Sequence, residues 1–310
     1  MDILWSLLKT TRPRQWLKNG ALMAPIVFSG LLFHPGYIER VVWAMVIFTL
    51  VSASVYIFND LLDLEADKKH PFKKKRPLPA GDLPVSIAVF AIMAGIIIGL
   101  AWAYSMSLFF FLLVVAYLVI SGVLYTFWFK RVPIVDVITI ATGYVLRVYA
   151  GGVVINAHMD VWFLLTVISL SLFLAVGKRK SEMTLLKGSG DTRIIRQTLS
   201  RYTEDLLNIY TSMFATATWL TYALFTFNQP KIAFEGKVLT FMSLLPRTFL
   251  SEKWLMVTTP LVVYGVMRYL QLIYEKNEGE SPERVLLSDK PLIATVATWG
   301  VLVFGLIYLV

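Results

Sequence analysis

Residues 41–69 read VVWAMVIFTLVSASVYIFNDLLDLEADKK. Positions 41–58 carry no charge, no proline and no glycine. Eighteen helical residues at 1.5 Å each reach about 27 Å, close to the ~30 Å of hydrocarbon in a bilayer. The run then passes without a break into Asn59, Asp60, Asp63, Glu65 and Asp67. A membrane-crossing helix therefore leaves the bilayer directly into an acidic cluster.

Similar apolar runs recur along the 310 residues, giving expected spans at 20–33, 41–58, 86–103, 108–127, 134–155, 161–176, 206–227, 254–273 and 292–309. The first is short and broken by Pro25 and Gly30, so it is expected to recruit part of the preceding segment as an interfacial helix. Composition agrees: 57% of residues are hydrophobic and 16% charged, against about 25% charged in soluble domains. Nine crossings of about 20 residues leave too little chain for a separate soluble domain. The expected fold is all-α, a polytopic membrane protein forming one domain over residues 1–310. The N-terminal stretch has too short an apolar run for a cleaved secretion signal and is expected to be retained.

The formal net charge of +9 is distributed by side: 22 Lys and Arg fall on the side of the N-terminus and 5 on the other. In a membrane chain this asymmetry sets orientation rather than marking a nucleic-acid partner. It places the N-terminus and the long loops in the cytoplasm, the C-terminus outside, and membrane lipids as the surrounding partners. The chain has no Cys, which removes disulfides, thiolate nucleophiles and sulfur-ligated metals.

Asn59, Asp63 and Asp67 are spaced i, i+4, i+8, along one helical face, with Asp60 beside it. Carboxylate and amide oxygens suit Mg²⁺, which typically keeps waters and takes substrate phosphates as its other ligands. A metal-bound diphosphate is the expected partner. The plainer reading is a solvated helix end paired with Lys68 and Lys69, but acids at a helix C-terminus are opposed by the dipole and by one another. Lys73 and Arg76, in the basic loop that follows, are the phosphate-binding candidates beside this site; alone, such a loop is also a topology signal.

Arg147 falls near the middle of the fifth span, where an ionisable side chain must face a cavity or a partner. Asp136 lies eleven residues earlier, about 16 Å along the same face, near the cytoplasmic mouth. The alternative for Arg147 is a buried pair with an acid on another helix. Tyr125 and Lys130 stand near the same mouth; Tyr125 fits an interfacial aromatic belt equally well. Lys178 and Arg179 are four and three residues from Glu182, so a surface salt bridge is the simple reading there.

The motif Asn59-Asp60-x-x-Asp63-x-x-x-Asp67 at the end of the second expected span resembles that of the UbiA superfamily of intramembrane prenyltransferases. Further segments are similar to its branch that transfers phosphoribosyl groups to decaprenyl phosphate: Arg12-Pro13-Arg14-Gln15-Trp16-Leu17-Lys18-Asn19, the extension from Asp67 through His70-Pro71 to Arg76-Pro77, Lys130 to Asp136, Leu146 to Gly152, and Gly177 to Glu182. A weaker echo covers Pro282 to Asp289. The resemblance implies a UbiA-type bundle of about nine helices with a cytoplasm-facing polar chamber in a bacterial-type inner membrane. The implied reaction is Mg²⁺-dependent transfer of 5-phosphoribose from phosphoribosyl diphosphate (PRPP) to a polyprenyl monophosphate, a step towards arabinan precursors of the cell wall.

On that resemblance Asp60, Asp63 and Asp67 are the catalytic carboxylates, with Asn59, Asp63 and Asp67 as metal ligands. Lys18, Lys73, Arg76, Tyr125, Lys130, Asp136, Arg147, Lys178, Arg179 and Glu182 are the candidates for binding PRPP or lipid phosphate. Relatives that use prenyl diphosphates carry a second aspartate-rich motif after the sixth helix. Here Lys178-Arg179-Lys180-Ser181-Glu182 replaces it, and the extra cations suit a 5-phosphate, Arg179 best because its fork is bidentate. Lys18, otherwise an interface anchor like Arg14 and Trp16, becomes a phosphate ligand on the same ground. The alternatives are another UbiA-type enzyme acting on 4-hydroxybenzoate or naphthoate, a polyprenyl-lipid transporter, and a membrane scaffold. A homo-oligomer is allowed.

Overall fold

The computed structural model describes residues 3–69, 73–189, 202–229, 253–275, 285 and 287–309. The segment 228–253 between the seventh and eighth expected spans lies outside the described residues except at its ends, as do His70 and Pro71 and, within the segment from Pro282 to Asp289, positions 282–284 and 286. All regular structure among the described residues is helical, and the chain divides into two compact units, Met1–His158 and Met159–Val310.

In the first unit a short helix α1 (Ile3–Thr10) turns at Arg12 into a 3-10 stretch, Pro13–Met23, continued by α2 (Ala24–Phe28). The region expected as a span at 20–33 is helical only as far as Phe28, with a turn at Ser29 and Gly30, the latter with φ 71°, and it is not among the seven helices long and apolar enough to cross a membrane.

The long α3 (Tyr37–Leu62) follows, then α4 (Leu64–Lys69), α5 (Pro77–Ala80), α6 (Val85–Met106), α7 (Leu108–Phe127) and α8 (Val135–Val154). The core of this unit packs Leu22, Ile26, Ile47, Phe48, Val51, Phe110, Val114 and Tyr117 around α3. Two close approaches make it. Gly95 and Gly99, one turn apart on α6, meet Ser54 and Val51 of α3 so closely that a Cβ on either would collide. Gly151 of α8 rests on the backbone of Leu22 in the same way. Small residues let helix backbones approach where no hydrophobic drive exists in lipid. Outward, Phe90, Met93, Ile97, Phe109 and Leu112 stay exposed, as a lipid-facing surface requires. Inside α7, residues Leu118–Leu124 form a π-helical turn.

The second unit contains α9 (Val161–Ser189), α10 (Glu204–Asn228), α11 (Thr259–Glu275) and α12 (Lys290–Tyr308). Its core includes Phe173, Ala215, Tyr269, Leu272 and Ile273. Among the described residues seven helices are long and apolar enough to cross a membrane. The expected spans within 41–58, 86–103, 108–127, 134–155, 161–176, 254–273 and 292–309 correspond to them. The span expected at 206–227 is helical over Glu204–Asn228 but is not one of the seven. Its polarity comes partly from threonines whose hydroxyls donate to the helix's own carbonyls, Thr211 to Leu207, Thr218 to Phe214 and Thr221 to Ala217.

Candidate active site

The helix expected to run through residues 59–67 stops at Leu62. Asp63 caps it with φ −88° and ψ 6°, and α4 resumes at Leu64. The register survives the stop: Asp63 N–H donates to the Asn59 carbonyl at 3.0 Å and Asp67 N–H to the Asp63 carbonyl at 2.8 Å. A carboxylate at a helix C-terminus works against the dipole, so Asp63 at this cap calls for a compensating cation.

Cations surround the motif. Arg76 places Nη1 2.9 Å from Asp60 Oδ1 and 3.0 Å from Asp67 Oδ2, bridging two carboxylates that are both 3% exposed. Arg12 pairs with the same Asp60 oxygen and lies over the Tyr56 ring. Lys73 lies 3.4 Å from Asp67, and Lys130 3.5 Å from Asp63, whose side chain remains about half exposed. Lys68 pairs instead with Glu65, so the plain reading of the motif acids as its partners does not describe this contact. Buried carboxylates require such partners, since an isolated ionised group out of water is strongly disfavoured.

Asn59 is held from a distance of 67 residues: Thr126, at the end of α7, donates its hydroxyl to Asn59 Oδ1 at 2.6 Å. The π-helical turn precedes Thr126 and inserts an extra residue into the helix, which rotates everything after it. Among the described residues no set of three or more His, Asp or Glu is arranged to hold a metal ion. What the motif offers is one amide oxygen and the carboxylates of Asp63 and Asp67, a hard-oxygen set that fits Mg²⁺ when waters and substrate phosphates complete the shell.

Other expected residues lie elsewhere in the same unit. Arg147 is 4% exposed, donating to Asn19 Oδ1 at 2.7 Å, the Gly143 carbonyl at 2.6 Å and the Tyr117 hydroxyl at 3.0 Å. The expected alternative, a pair with an acid, is replaced here by an amide and a phenol. Lys18 sits over the Tyr144 ring at 5.8 Å. Asp136 is buried in the first turn of α8, and Tyr125 precedes Thr126 on α7.

In the second unit both expected pairings form: Arg179 binds Glu182, and Lys178 lies 4.0 Å from it. Arg179 is nearly enclosed, 1% exposed, whereas Lys178 retains about a third of its side-chain surface. Lys180 leaves this cluster, binding Asn208 and lying over the Tyr274 ring at 4.0 Å. Asp289 caps α12 and grips Arg268 through both oxygens, at 3.1 and 2.7 Å.

Sequence reasoning missed Arg12 and Thr126 as members of the first site. Arg12 stood in a quoted motif, next to residues read as interface anchors. Thr126 carries no local signal, because its partner is distant in the chain.

The helices and the cation-ringed NDxxDxxxD motif define an integral-membrane transferase, and residues 22–289 match the family described as the UbiA prenyltransferase family. The chain belongs to that family. It is 32% identical over 314 residues to the decaprenyl-phosphate phosphoribosyltransferase of Mycobacterium tuberculosis, covering 98% of this chain and 96% of that one. The protein of the same name from Corynebacterium glutamicum is 30% identical over 307 residues, with 98% and 87% covered. A solved UbiA homologue from Archaeoglobus fulgidus, bound to GPP and Mg²⁺, shares the fold at a TM-score of 0.68 and 21% identity, with 97% and 99% covered.

Proposed function

We propose that this protein transfers the 5-phosphoribosyl group of PRPP to decaprenyl, or another polyprenyl, monophosphate and releases diphosphate. The observation that carries the reading is the ring of Arg12, Lys73, Arg76 and Lys130 around Asp60, Asp63 and Asp67, which provides for a polyphosphate where a plain acidic helix end would not. The near-full-length relatives named decaprenyl-phosphate phosphoribosyltransferase support the same donor and acceptor.

Asn59, Asp63 and Asp67 would hold Mg²⁺, which when bound neutralises the charge of the diphosphate. Lys73 and Lys130 exchange carboxylate contacts for phosphate contacts as donor binds, while Arg76 stays on Asp60. Asp60 acts through Arg12 and Arg76, fixing where their guanidinium groups stand. Lys178 and Arg179, the latter held by Glu182, are assigned the 5-phosphate; Lys18, Tyr125, Asp136 and Arg147 line or support the remaining polar interior. A phosphate-monoester oxygen of the acceptor is already anionic near neutral pH, so no strong base is required. It bonds to C1 of the ribose as the C1–O bond to diphosphate breaks, with inversion, and the enzyme contributes position and charge.

The reading includes nine crossings, a cytoplasm-facing polar chamber, the N-terminus in the cytoplasm and the C-terminus outside a bacterial inner membrane. One domain and Mg²⁺ as the physiological ion are part of it. The test is to incubate purified protein with radiolabelled PRPP, polyprenyl phosphate and Mg²⁺, with and without EDTA. Metal-dependent label in the organic phase, lost in Asp63→Asn, supports the proposal. Prenylation of an aromatic acid by a prenyl diphosphate, with no labelled lipid, overturns it.

A further inference from the structure

A cavity of about 300 Å³ opens beside Asp60, walled by Lys9 and Thr10 at the end of α1, by Arg12, and by Lys75 and Arg76 ahead of α5. At ~30 Å³ per water this is room for about ten waters, enough for a phosphate group and its shell. Four cations face one carboxylate there. Asp60 is committed to Arg12 and Arg76, yet both arginines keep about a third of their side-chain surface, and Lys9 and Lys75 are exposed. The lining thus keeps a strong positive excess with accessible donors.

Two further features locate and tune it. Leu4, Trp5 and Leu8 form one exposed apolar face of α1, the pattern of a helix lying in the membrane interface, and the cavity adjoins the end of that helix at Lys9 and Thr10. Arg12 has φ 56° and ψ 68°, a left-handed backbone unusual for arginine. Such strain persists where surroundings over-determine it, commonly at ligand clamps. Here the Asp60 pair and the Tyr56 ring at 5.3 Å hold the guanidinium at the cavity. Another cavity of the unit, about 470 Å³, lies at the opposite end of α3, where Arg40 stands beside Glu39.

We infer that this basic cavity receives a phosphate monoester at the membrane surface, that of the acceptor lipid, and that α1 seats the first isoprene units. The inference rests on the transfer reaction proposed above. Both the acceptor and the 5-phosphate of PRPP are monoesters, so the experiment separates them. Lys9→Ser with Lys75→Ser removes two exposed cations without disturbing a buried contact, and Arg12→Lys is the second variant, keeping charge and losing the fork.

In purified full-length protein, KM is measured for each substrate. Equilibrium binding of polyprenyl phosphate is measured against uncharged polyprenol. The double variant is expected to raise the KM for polyprenyl phosphate about tenfold, leave that for PRPP within about twofold, and lose the preference for phosphate over alcohol. A raised KM for PRPP alone would assign the cavity to the donor and overturn the inference, as would unchanged binding of the lipid phosphate in both variants. Wild-type protein that binds polyprenyl phosphate through these residues but forms no ribosylated lipid would leave the cavity standing and sink the transfer reading instead.

Discussion

The hydroxyl of Thr126 donates to the amide oxygen of Asn59 at 2.6 Å. Thr126 is 4% exposed, so this bond is shielded from water and fixes the rotation of the amide. Outer partners of metal ligands typically change affinity or activity by about 10–100-fold. Thr126→Val, which keeps shape and removes the donor, is expected to cut transfer activity at least tenfold while the protein still folds. Thr126→Ser is expected to restore most of it. Titrating activity against Mg²⁺ checks this; an unchanged metal requirement in the valine variant would remove Thr126 from the site.

Asp60 anchors two arginines from within a nearly dry environment. Removing one partner of a buried pair costs about 3–5 kcal/mol, and the partial exposure of Arg12 and Arg76 lowers that to about 2 kcal/mol. Asp60→Ala should therefore lower the unfolding temperature in detergent and depress activity together. Asp63→Asn, at a half-exposed carboxylate, should abolish activity with little change in unfolding temperature. Thermal unfolding beside the transfer assay separates the two carboxylates.

Arg147 fastens three elements: the Asn19 stretch, Tyr117 on α7 and its own helix at Gly143. Arg147→Met leaves the Asn19 amide oxygen and the Tyr117 phenol without this donor, at about 1–3 kcal/mol each where buried. The expected result is loss of folded protein, with Arg147→Lys intermediate. If Arg147→Met folds normally and only the KM for PRPP rises, the residue contacts substrate instead.

Gly151 and Gly300 make a controlled pair. A Cβ at Gly151 would strike the Leu22 backbone, whereas one at Gly300 meets nothing within 4 Å. Gly151→Ala is expected to destabilise by about 1–3 kcal/mol as overpacking does; Gly300→Ala should be neutral or slightly stabilising, given alanine's better helix propensity. Unfolding temperatures of the two variants in one detergent test the contrast.

Chelation supplies a further check. EDTA is expected to abolish transfer and excess Mg²⁺ to restore it, because the proposed ligands Asn59, Asp63 and Asp67 would supply only part of a coordination shell. Full activity in EDTA would mean that the cations around the motif bear the diphosphate charge alone.

The amino-acid sequence determined that this chain is helical and membrane-spanning, since an uncharged run of eighteen residues has few alternatives in a bilayer. It also placed Asn59, Asp63 and Asp67 in one register, because i, i+4 spacing is a property of the local backbone. Lys178 and Arg179 with Glu182 were legible for the same reason. What neighbours those residues have was decided by tertiary structure. Arg12 reaches Asp60 across 48 positions and Thr126 reaches Asn59 across 67, distances at which no periodicity survives. Lys180 lies beside Arg179 in sequence yet turns to Asn208, and Arg147 found an amide and a phenol where an acid was the expected partner. Spacing prescribes which side chains share a helical face, while the packing of other helices decides what that face meets.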